Sequence, residues 1–152
     1  MPATRSFKRL ERRLVSDELP ATTSVASNRM GRIRQRDTDP ELRVRRIVAS
    51  MGLRFTTSNR DLPGSPDLAN RTKKWALFVH GCFWHQHAGC PAATVPKSNR
   101  VFWQSKFSAN RERDARVREA LEALGFTVIT VWECETRVPS HIRDSISSLR
   151  SN

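Results

Sequence analysis

The sequence has no apolar run approaching the roughly 18 residues that a membrane-spanning helix requires. Its first residues lack the apolar core of a secretory signal. It has only 3 cysteines, and an odd number does not suggest a framework of disulfides. These absences argue against a membrane protein and against a small disulfide-stabilised secreted domain. We therefore expect a soluble intracellular protein.

Acidic residues are scarce. The 15 Asp and Glu residues face 27 Lys and Arg residues, which leaves a net charge of +12 on 152 residues. Such a field attracts polyanions and raises their association rate. Nucleic acid is the favoured partner, because phosphate contacts supply much of the binding in basic proteins of this kind. A ribosome-associated or merely basic protein is the alternative.

The chain length suits one domain, which can bury roughly two-thirds of its unfolded surface. Residues 1–36 are basic and carry few large apolar side chains, so we expect a mobile arm that is partly disordered without DNA, with a short helix at Phe7–Val15. We expect the folded domain to span residues 37–152. No feature indicates an oligomer, so we expect a monomer.

Apolar periodicity and turn residues predict the elements of this domain. A first helix starts at Thr38, where Glu41 has capping-box spacing, carries the apolar stripe Val44, Ile47, Val48 and Met51, and ends at Gly52. Strands follow at Leu53–Thr57, from Pro66, and at Trp75–His80, the last two as a hairpin. Ser98 caps a helix that carries Phe102, Trp103 and Phe107, and a second helical stretch spans Glu112–Leu124. A strand at Phe126–Trp132 and a helix carrying Ile142, Ile146 and Leu149 complete the chain. This order predicts an α/β or α+β domain with a mixed central sheet flanked by helices.

The segment between His80 and Cys90 is rich in histidine, cysteine and glycine. Zinc favours four Cys or His ligands in a tetrahedron, and Cys82, Cys90, Cys134 and one histidine would supply them. The fourth ligand is left open by spacing alone. The alternative is that the three thiols are buried as small apolar groups.

Pro66-Asp67 stands at the head of a predicted strand. A carboxylate there suits Mg²⁺, which prefers hard oxygen ligands and shares them with substrate phosphates. A Pro-Asp pair is also common in ordinary turns. Histidines outside the zinc site are available as general base or acid, because the pKa of histidine ordinarily lies near neutral pH. We interpret His141 as an ordinary surface residue.

Phe83 and Trp84 are two large aromatic residues in a polar loop. Residue type alone favours core packing for them, and also for Trp103. In a basic protein, the alternative is an exposed wedge that unstacks bases and kinks DNA.

Taken together, these residues resemble the very short patch repair (Vsr) mismatch endonucleases, a branch of the restriction-endonuclease-like nucleases. The resemblance runs from about Asn28 to Glu135 and is carried by a specific ordered set of segments. These are Arg29-Met30, Arg36-Asp37-Thr38, Glu41-Leu42, Asp61-Leu62-Pro63-Gly64, Pro66-Asp67, the run from Phe78 to His85, Phe102-Trp103, Glu112-Arg113-Asp114 and Val131-Trp132-Glu133-Cys134.

The resemblance implies an enzyme that nicks double-stranded DNA on the 5′ side of the thymine in a T:G mismatch. Such mismatches arise by deamination of 5-methylcytosine, and the nick starts a short repair synthesis that involves downstream repair proteins. It also implies a bacterial cytoplasmic, nucleoid-associated location.

Family roles carry over to matching positions. Asp67 and the backbone carbonyl of Val79 would bind Mg²⁺, His85 would act as general base, and His80 and Glu41 would support the site. His87 would complete a structural zinc site with Cys82, Cys90 and Cys134. The predicted DNA contacts are Phe83, Trp84 and Trp103 from the major groove and Met30 from the minor groove.

Two other functions are compatible with parts of the sequence. A non-catalytic DNA-binding module stabilised by zinc would explain the charge and the cysteines. It would not explain the combination of Asp67 with His80 and His85. The second alternative is a restriction-type nuclease that cuts matched DNA at a specific sequence. Glu41 has an alternative role as a helix cap, which its position alone could explain.

Overall fold

The computed structural model of the protein describes residues 36–150. Its helices and strands are α1 (Asp39–Ser50), β1 (Leu68–Asn70), β2 (Trp75–His80), α2 (Arg100–Ala123), β3 (Thr127–Trp132) and α3 (Pro139–Ile146). Short 3₁₀ helices occupy Glu133–Arg137 and Ser147–Arg150. The predictions for the basic arm, including Met30 and the helix at Phe7–Val15, lie outside the described residues. Within them, no helix has the length and apolar character needed to cross a membrane.

The described strands form a mixed sheet in the order β1-β2-β3, which confirms the predicted fold class. β1 and β2 form the predicted antiparallel hairpin, with Leu68 opposite Leu77. β3 lies parallel to β2, with His80 opposite Trp132. Parallel neighbours need a crossover, and α2 provides it. As a result, the carboxyl ends of β2 and β3 meet at one edge of the sheet.

Alternation along β2 divides the core between the two faces of the sheet, because successive strand side chains point to opposite sides. Trp75 and Leu77 pack with Val44 and Val48 of α1 and with Ile142 of α3, among others. Ala76 packs with Leu121 of α2 and with Phe126 on the other face. Each large side chain buried in this way contributes about 1.5–3 kcal/mol to folding. The sheet is therefore held rigidly between helices.

The predicted start and stripe of α1 are confirmed, but neither hydrogen bond of its predicted capping box is present. Thr38 is the N-cap residue, yet its side chain does not cap the helix. Instead Glu41 reaches back and accepts hydrogen bonds from Thr38 Oγ1 (3.0 Å) and from the backbone N–H of Asp37 (2.8 Å). Gly52 follows the helix with a φ of +75°, as a helix stop requires.

The strand predicted at Leu53–Thr57 is wrong. Only Thr56 pairs with the sheet, in an isolated bridge to Ala69. Leu53 and Phe55 do pack against the core, which produces the alternation that suggested a strand. However, the carbonyl of Arg54 accepts its hydrogen bond from the Asn70 side chain, so a side chain replaces the backbone ladder here.

The two helical stretches predicted after Ser98 are one continuous helix of 24 residues, and Asn99 rather than Ser98 is its N-cap. The polar residues between Phe107 and Glu112 suggested a break. They contain no glycine or proline, so nothing interrupts the backbone hydrogen bonds.

Candidate active site and metal centre

The ends of β2 and β3 bring the predicted zinc ligands together. Cys82 and Cys134 each lie two residues beyond the paired residues His80 and Trp132, so strand pairing places both thiols at the same edge of the sheet. The loop after β2 then turns back and adds His87 and Cys90. The potential ligand atoms of these four residues lie within 4.8 Å of one another.

The positions of these donor atoms fit the tetrahedral coordination of one ion. His87 Nδ1 lies 3.7 Å from Cys82 Sγ and 3.4 Å from Cys134 Sγ. The His87 ring stacks on Trp132, with centroids 4.2 Å apart and planes within 6°. All three cysteines are free thiols, and three thiols with one imidazole form a donor set typical of structural zinc. Burial raises the pKa of the Cys82 thiol to about 12, and a bound cation would stabilise its thiolate.

Asp67 lies immediately before β1, with its carboxylate against β2. Its Oδ2 accepts a hydrogen bond of 2.7 Å from the backbone N–H of Val79. Burial raises the pKa of Asp67 to about 6, and the negative charge of Glu41 adds to that rise. The hydrogen bond from Val79 and the charge of Arg45 oppose it. A cation at this carboxylate would offset the cost of burying its charge.

His80 and His85 stack face to face, with ring centroids 3.9 Å apart and planes within 5°. Burial and the neighbouring His85 lower the pKa of His80 to about 4, so His80 is neutral at physiological pH. His80 also forms a T-shaped contact with Trp132, at a centroid distance of 5.5 Å. Trp132 thus touches both His80 and His87, and packs the candidate active site against the candidate zinc site.

His85 is held by a residue that sequence reasoning did not assign to the site. Its Nδ1 lies 2.5 Å from Asp114 Oδ2, and both side chains are mostly buried. The carboxylate favours the tautomer with hydrogen on Nδ1, which leaves the Nε2 lone pair available to accept a proton. His80, His85 and Asp114 form one cluster. Asp67 is linked to this cluster only through the backbone of β2, because its hydrogen-bond donor Val79 directly precedes His80.

A signal for Asp114 was present in the spacing of α2. Phe107, Asn110, Asp114, Val117 and Leu121 recur at helical intervals of three and four, so they share one face. Phe107 and Leu121 are buried, which identifies that face as the inner one. Two polar residues on it need partners: Asn110 Nδ2 donates to the carbonyl of Trp84 (3.0 Å), and Asp114 contacts His85.

Glu41 lies at the start of α1, and its role in the reaction stays a prediction. It is almost fully buried and accepts the two hydrogen bonds at the start of α1 described above. Its negative charge also contributes to the raised pKa of Asp67. Arg45, one turn along α1, lies 2.7 Å from Asp37 and 3.9 Å from Glu41. Its hydrogen bonds at the start of α1 are therefore compatible with an electrostatic effect on Asp67.

The aromatic residues of the loop form a cluster with α2. Phe83 packs edge-on against Trp84, Trp103 and Phe107 at centroid distances of 5.1, 5.6 and 5.2 Å. Phe107 is buried, whereas Phe83, Trp84 and Trp103 are only half-buried. They are thus anchored on a core residue and still present surface to solvent, and His85 follows Trp84 directly.

Comparison with known proteins agrees with this arrangement. Residues 20–90 match the family described as DNA mismatch endonuclease Vsr. The chain is 46% identical over 106 residues to the type II nicking enzyme V.XorIIP of Xanthomonas oryzae pv. oryzae, covering 70% of this chain and 77% of that protein. It is 38% identical over 128 residues to the type II nicking enzyme V.NmeAIP of Neisseria meningitidis, covering 84% and 91%.

It is also 38% identical over 121 residues to the DNA mismatch endonuclease Vsr of Escherichia coli, covering 80% of this chain and 77% of that protein. These alignments extend over most of the described domain. The chain belongs to the Vsr family and is a DNA endonuclease.

Proposed function

We propose that the protein nicks double-stranded DNA on the 5′ side of the thymine in a T:G mismatch, by Mg²⁺-dependent hydrolysis of one phosphodiester bond. The name of the Escherichia coli relative specifies mismatches, and the names of the other two relatives specify nicking, the cutting of a single strand. The observation that carries the proposal is the placement of Asp67 on Val79, next to a histidine pair oriented by Asp114.

Asp67 and the Val79 carbonyl are the proposed ligands of Mg²⁺. The N–H and C=O of one strand residue point to the same side. Because the N–H of Val79 donates to Asp67, its carbonyl is directed toward the same edge as the carboxylate. When bound there, Mg²⁺ would neutralise the negative charge that grows on the scissile phosphate.

His85 is the proposed general base. Its Nε2 takes a proton from a water molecule as the water oxygen forms a bond to phosphorus, and the bond from phosphorus to the departing sugar oxygen breaks. The departing oxygen then takes up a proton. Asp114 stabilises the charged His85 that forms. Neutral His80 supports the ring of His85 by stacking without adding charge.

A structural zinc ion at Cys82, His87, Cys90 and Cys134 is part of the proposal. Four protein ligands leave no open position for water, which distinguishes this site from a catalytic one. The ion would fix the loop that carries Phe83, Trp84 and His85. Orientation of such groups lowers the barrier only if they are held firmly.

Phe83, Trp84 and Trp103 are the proposed wedge, with Met30 approaching from the minor groove. A T:G pair is a wobble and is distorted more easily than a Watson–Crick pair, so insertion beside it costs less free energy. The half-buried cluster on Phe107 supports this role, because it is rigid on one side and accessible on the other.

Strand mapping tests the proposal. A duplex with one T:G pair is labelled on each strand in turn and incubated with the protein and Mg²⁺. We expect one product, cut on the 5′ side of the mispaired thymine, and none with a chelator or with Asp67→Asn. Cutting of both strands, or cutting that survives removal of divalent cations, would contradict it.

A further inference from the structure

The loop before Asp67 is closed by a hydrogen-bond network of Thr56, Asn59, Asp61 and Arg71, here called the Asn59 network. Asn59 is fully buried, which is costly for an amide unless its polar atoms are satisfied. Its Nδ2 donates to the carbonyls of Thr56 (2.9 Å) and Pro66 (3.0 Å). Its Oδ1 accepts from Thr56 Oγ1 (2.6 Å) and from Arg71 (3.1 Å).

These bonds fix the backbone on both sides of Asp67. The Pro66 carbonyl belongs to the peptide group that ends at the Asp67 nitrogen, so Asn59 holds the peptide plane directly before Asp67. On the other side, Thr56 and Ala69 exchange two backbone hydrogen bonds of 2.8 and 3.1 Å. Asp67 therefore sits between two anchored points, both of them held through the Asn59 network.

Arg71 joins the parts of the network. Its Nη1 donates to Thr56 Oγ1 (2.8 Å) and Asn59 Oδ1 (3.1 Å), while Nε and Nη2 donate to Asp61 at 3.3 and 2.6 Å. The guanidinium is thus engaged with the loop itself. Only a planar fork of several donors can bridge these acceptors together, which a lysine cannot do.

The loop needs such support because its own backbone is unfavourable. Gly64 and Ser65 both have positive φ angles, +69° and +50°. Ser65 has a side chain, and the left-handed conformation is costly for it. These two residues directly precede Pro66-Asp67, so relaxation of the loop would displace the carboxylate.

We propose that Asn59 and Arg71 are positioning residues for the nuclease reaction, holding the Asp67 carboxylate in the geometry that the metal requires. The inference rests on the proposed role of Asp67 as a Mg²⁺ ligand. Outer partners of metal ligands commonly affect metal affinity by roughly 10–100-fold. The competing explanation is that Arg71 is simply a cationic contact for DNA phosphate.

The test compares Arg71→Ala and Arg71→Lys with the matched control Arg60→Ala, which removes an exposed arginine from the same loop. The first readout is amide hydrogen exchange of residues 61–69 in the free protein, without DNA or Mg²⁺. We expect faster exchange in both Arg71 variants, with exchange in β3 unchanged, and wild-type exchange throughout in Arg60→Ala. Unchanged exchange at residues 61–69 in the Arg71 variants would overturn the inference.

The second readout is the Mg²⁺ concentration for half-maximal single-turnover nicking. We expect it to rise roughly 10-fold in both Arg71 variants, with DNA affinity in the absence of Mg²⁺ matching that of Arg60→Ala. Full recovery by Arg71→Lys, or loss of DNA affinity with an unchanged Mg²⁺ requirement, would overturn positioning in favour of a charge contact.

Failure of the proposed function gives a different result. In that case wild-type protein nicks without Mg²⁺, or Asp67→Asn retains full activity, whatever Arg71 does. If the wild-type protein needs both Mg²⁺ and Asp67, but the Arg71 variants match Arg60→Ala in hydrogen exchange and Mg²⁺ requirement, only the positioning inference is wrong.

Discussion

Asp114 and His85 form the contact on which the proposed proton transfer depends. Asp114→Asn preserves size but removes the charge that stabilises protonated His85 and selects its tautomer. We expect single-turnover nicking to slow by roughly 10²-fold or more, with DNA affinity and zinc content unchanged.

Glu112→Gln is the matched control for Asp114→Asn. It makes the same acid-to-amide change two residues earlier on α2, at an exposed position. Quenched-flow measurement of the cleavage step should find this control at the wild-type rate. Equal rates for both variants would show that Asp114 does not act through His85.

His85 and His87 stand two residues apart, yet their rings contact different partners, Asp114 and the thiol cluster. We expect His85→Ala to keep one equivalent of zinc and its melting temperature while cleavage slows by about 10²–10⁴-fold. His87→Ala should lose zinc and melt at a lower temperature, because the ion is a source of folding free energy. Metal analysis measures the zinc content of each variant, and thermal denaturation measures its melting temperature. Loss of zinc from His85→Ala would place His85 in the metal site instead.

At the level of single residues, the resemblance to the Vsr family identified those that the structure clusters around the two sites. It did not lead us to Asp114 as a partner of His85, because a contact between residues 29 positions apart depends on how α2 packs across the sheet. The Asn59 network was missed for a related reason. An asparagine and an arginine in a polar loop give no sign of burial until the loop is closed.

Among the secondary-structure elements, the loop that carries Pro63 and Gly64 depends on close contact with α2. A Cβ built on Gly64 would clash with Val117 Cγ1, and the φ of +69° at Gly64 is unfavourable for other residues. We expect Gly64→Ala to lower the free energy of unfolding by about 2–3 kcal/mol, as the sum of backbone strain and overpacking. Urea denaturation measures this directly.

Gly52→Ala separates the cost of backbone strain from the cost of overpacking. Gly52 has a similar φ of +75° but nothing within 4 Å of its built Cβ, so only the backbone cost of about 1 kcal/mol applies. The double variant Gly64→Ala/Val117→Ala should be less destabilised than the two single changes added together, because the smaller side chain relieves the clash. If the changes in the free energy of unfolding simply add, the contact with Val117 is not the cause of the destabilisation.

Secondary structure was predictable where local pattern and tertiary contacts agree. The hairpin, the strand at Phe126–Trp132 and the three buried residues of the last segment, Ile142, Ile146 and Leu149, are of this kind. The strand predicted at Leu53–Thr57 is wrong, because alternating apolar residues indicate which side chains are buried. Burial does not require a ladder of backbone hydrogen bonds. The break predicted within α2 is wrong, because its polar residues face solvent or the active site and do not interrupt the helix.

On the scale of the whole molecule, the net charge of +12 and the aromatic cluster are expected to contribute separately. General DNA affinity should rest on arginine–phosphate contacts and fall with added salt. We expect Trp84→Ala to slow nicking of a T:G duplex far more than it weakens binding to matched DNA, because the wedge acts where the helix is distorted. Leu124→Ala, an exposed apolar residue near the other end of α2, is the control.

The most direct test of mismatch recognition compares single-turnover nicking of two duplexes that differ only at one base pair, T:G or T:A, in several flanking sequences. A saving of about 2–3 kcal/mol in unstacking at the wobble pair corresponds to roughly a 10²-fold difference in rate. We predict that the T:G duplex is nicked faster by at least about that factor, in Mg²⁺ and at a fixed salt concentration. Equal rates on T:G and T:A across varied flanking bases would contradict mismatch recognition and favour a restriction-type nuclease that cuts matched DNA.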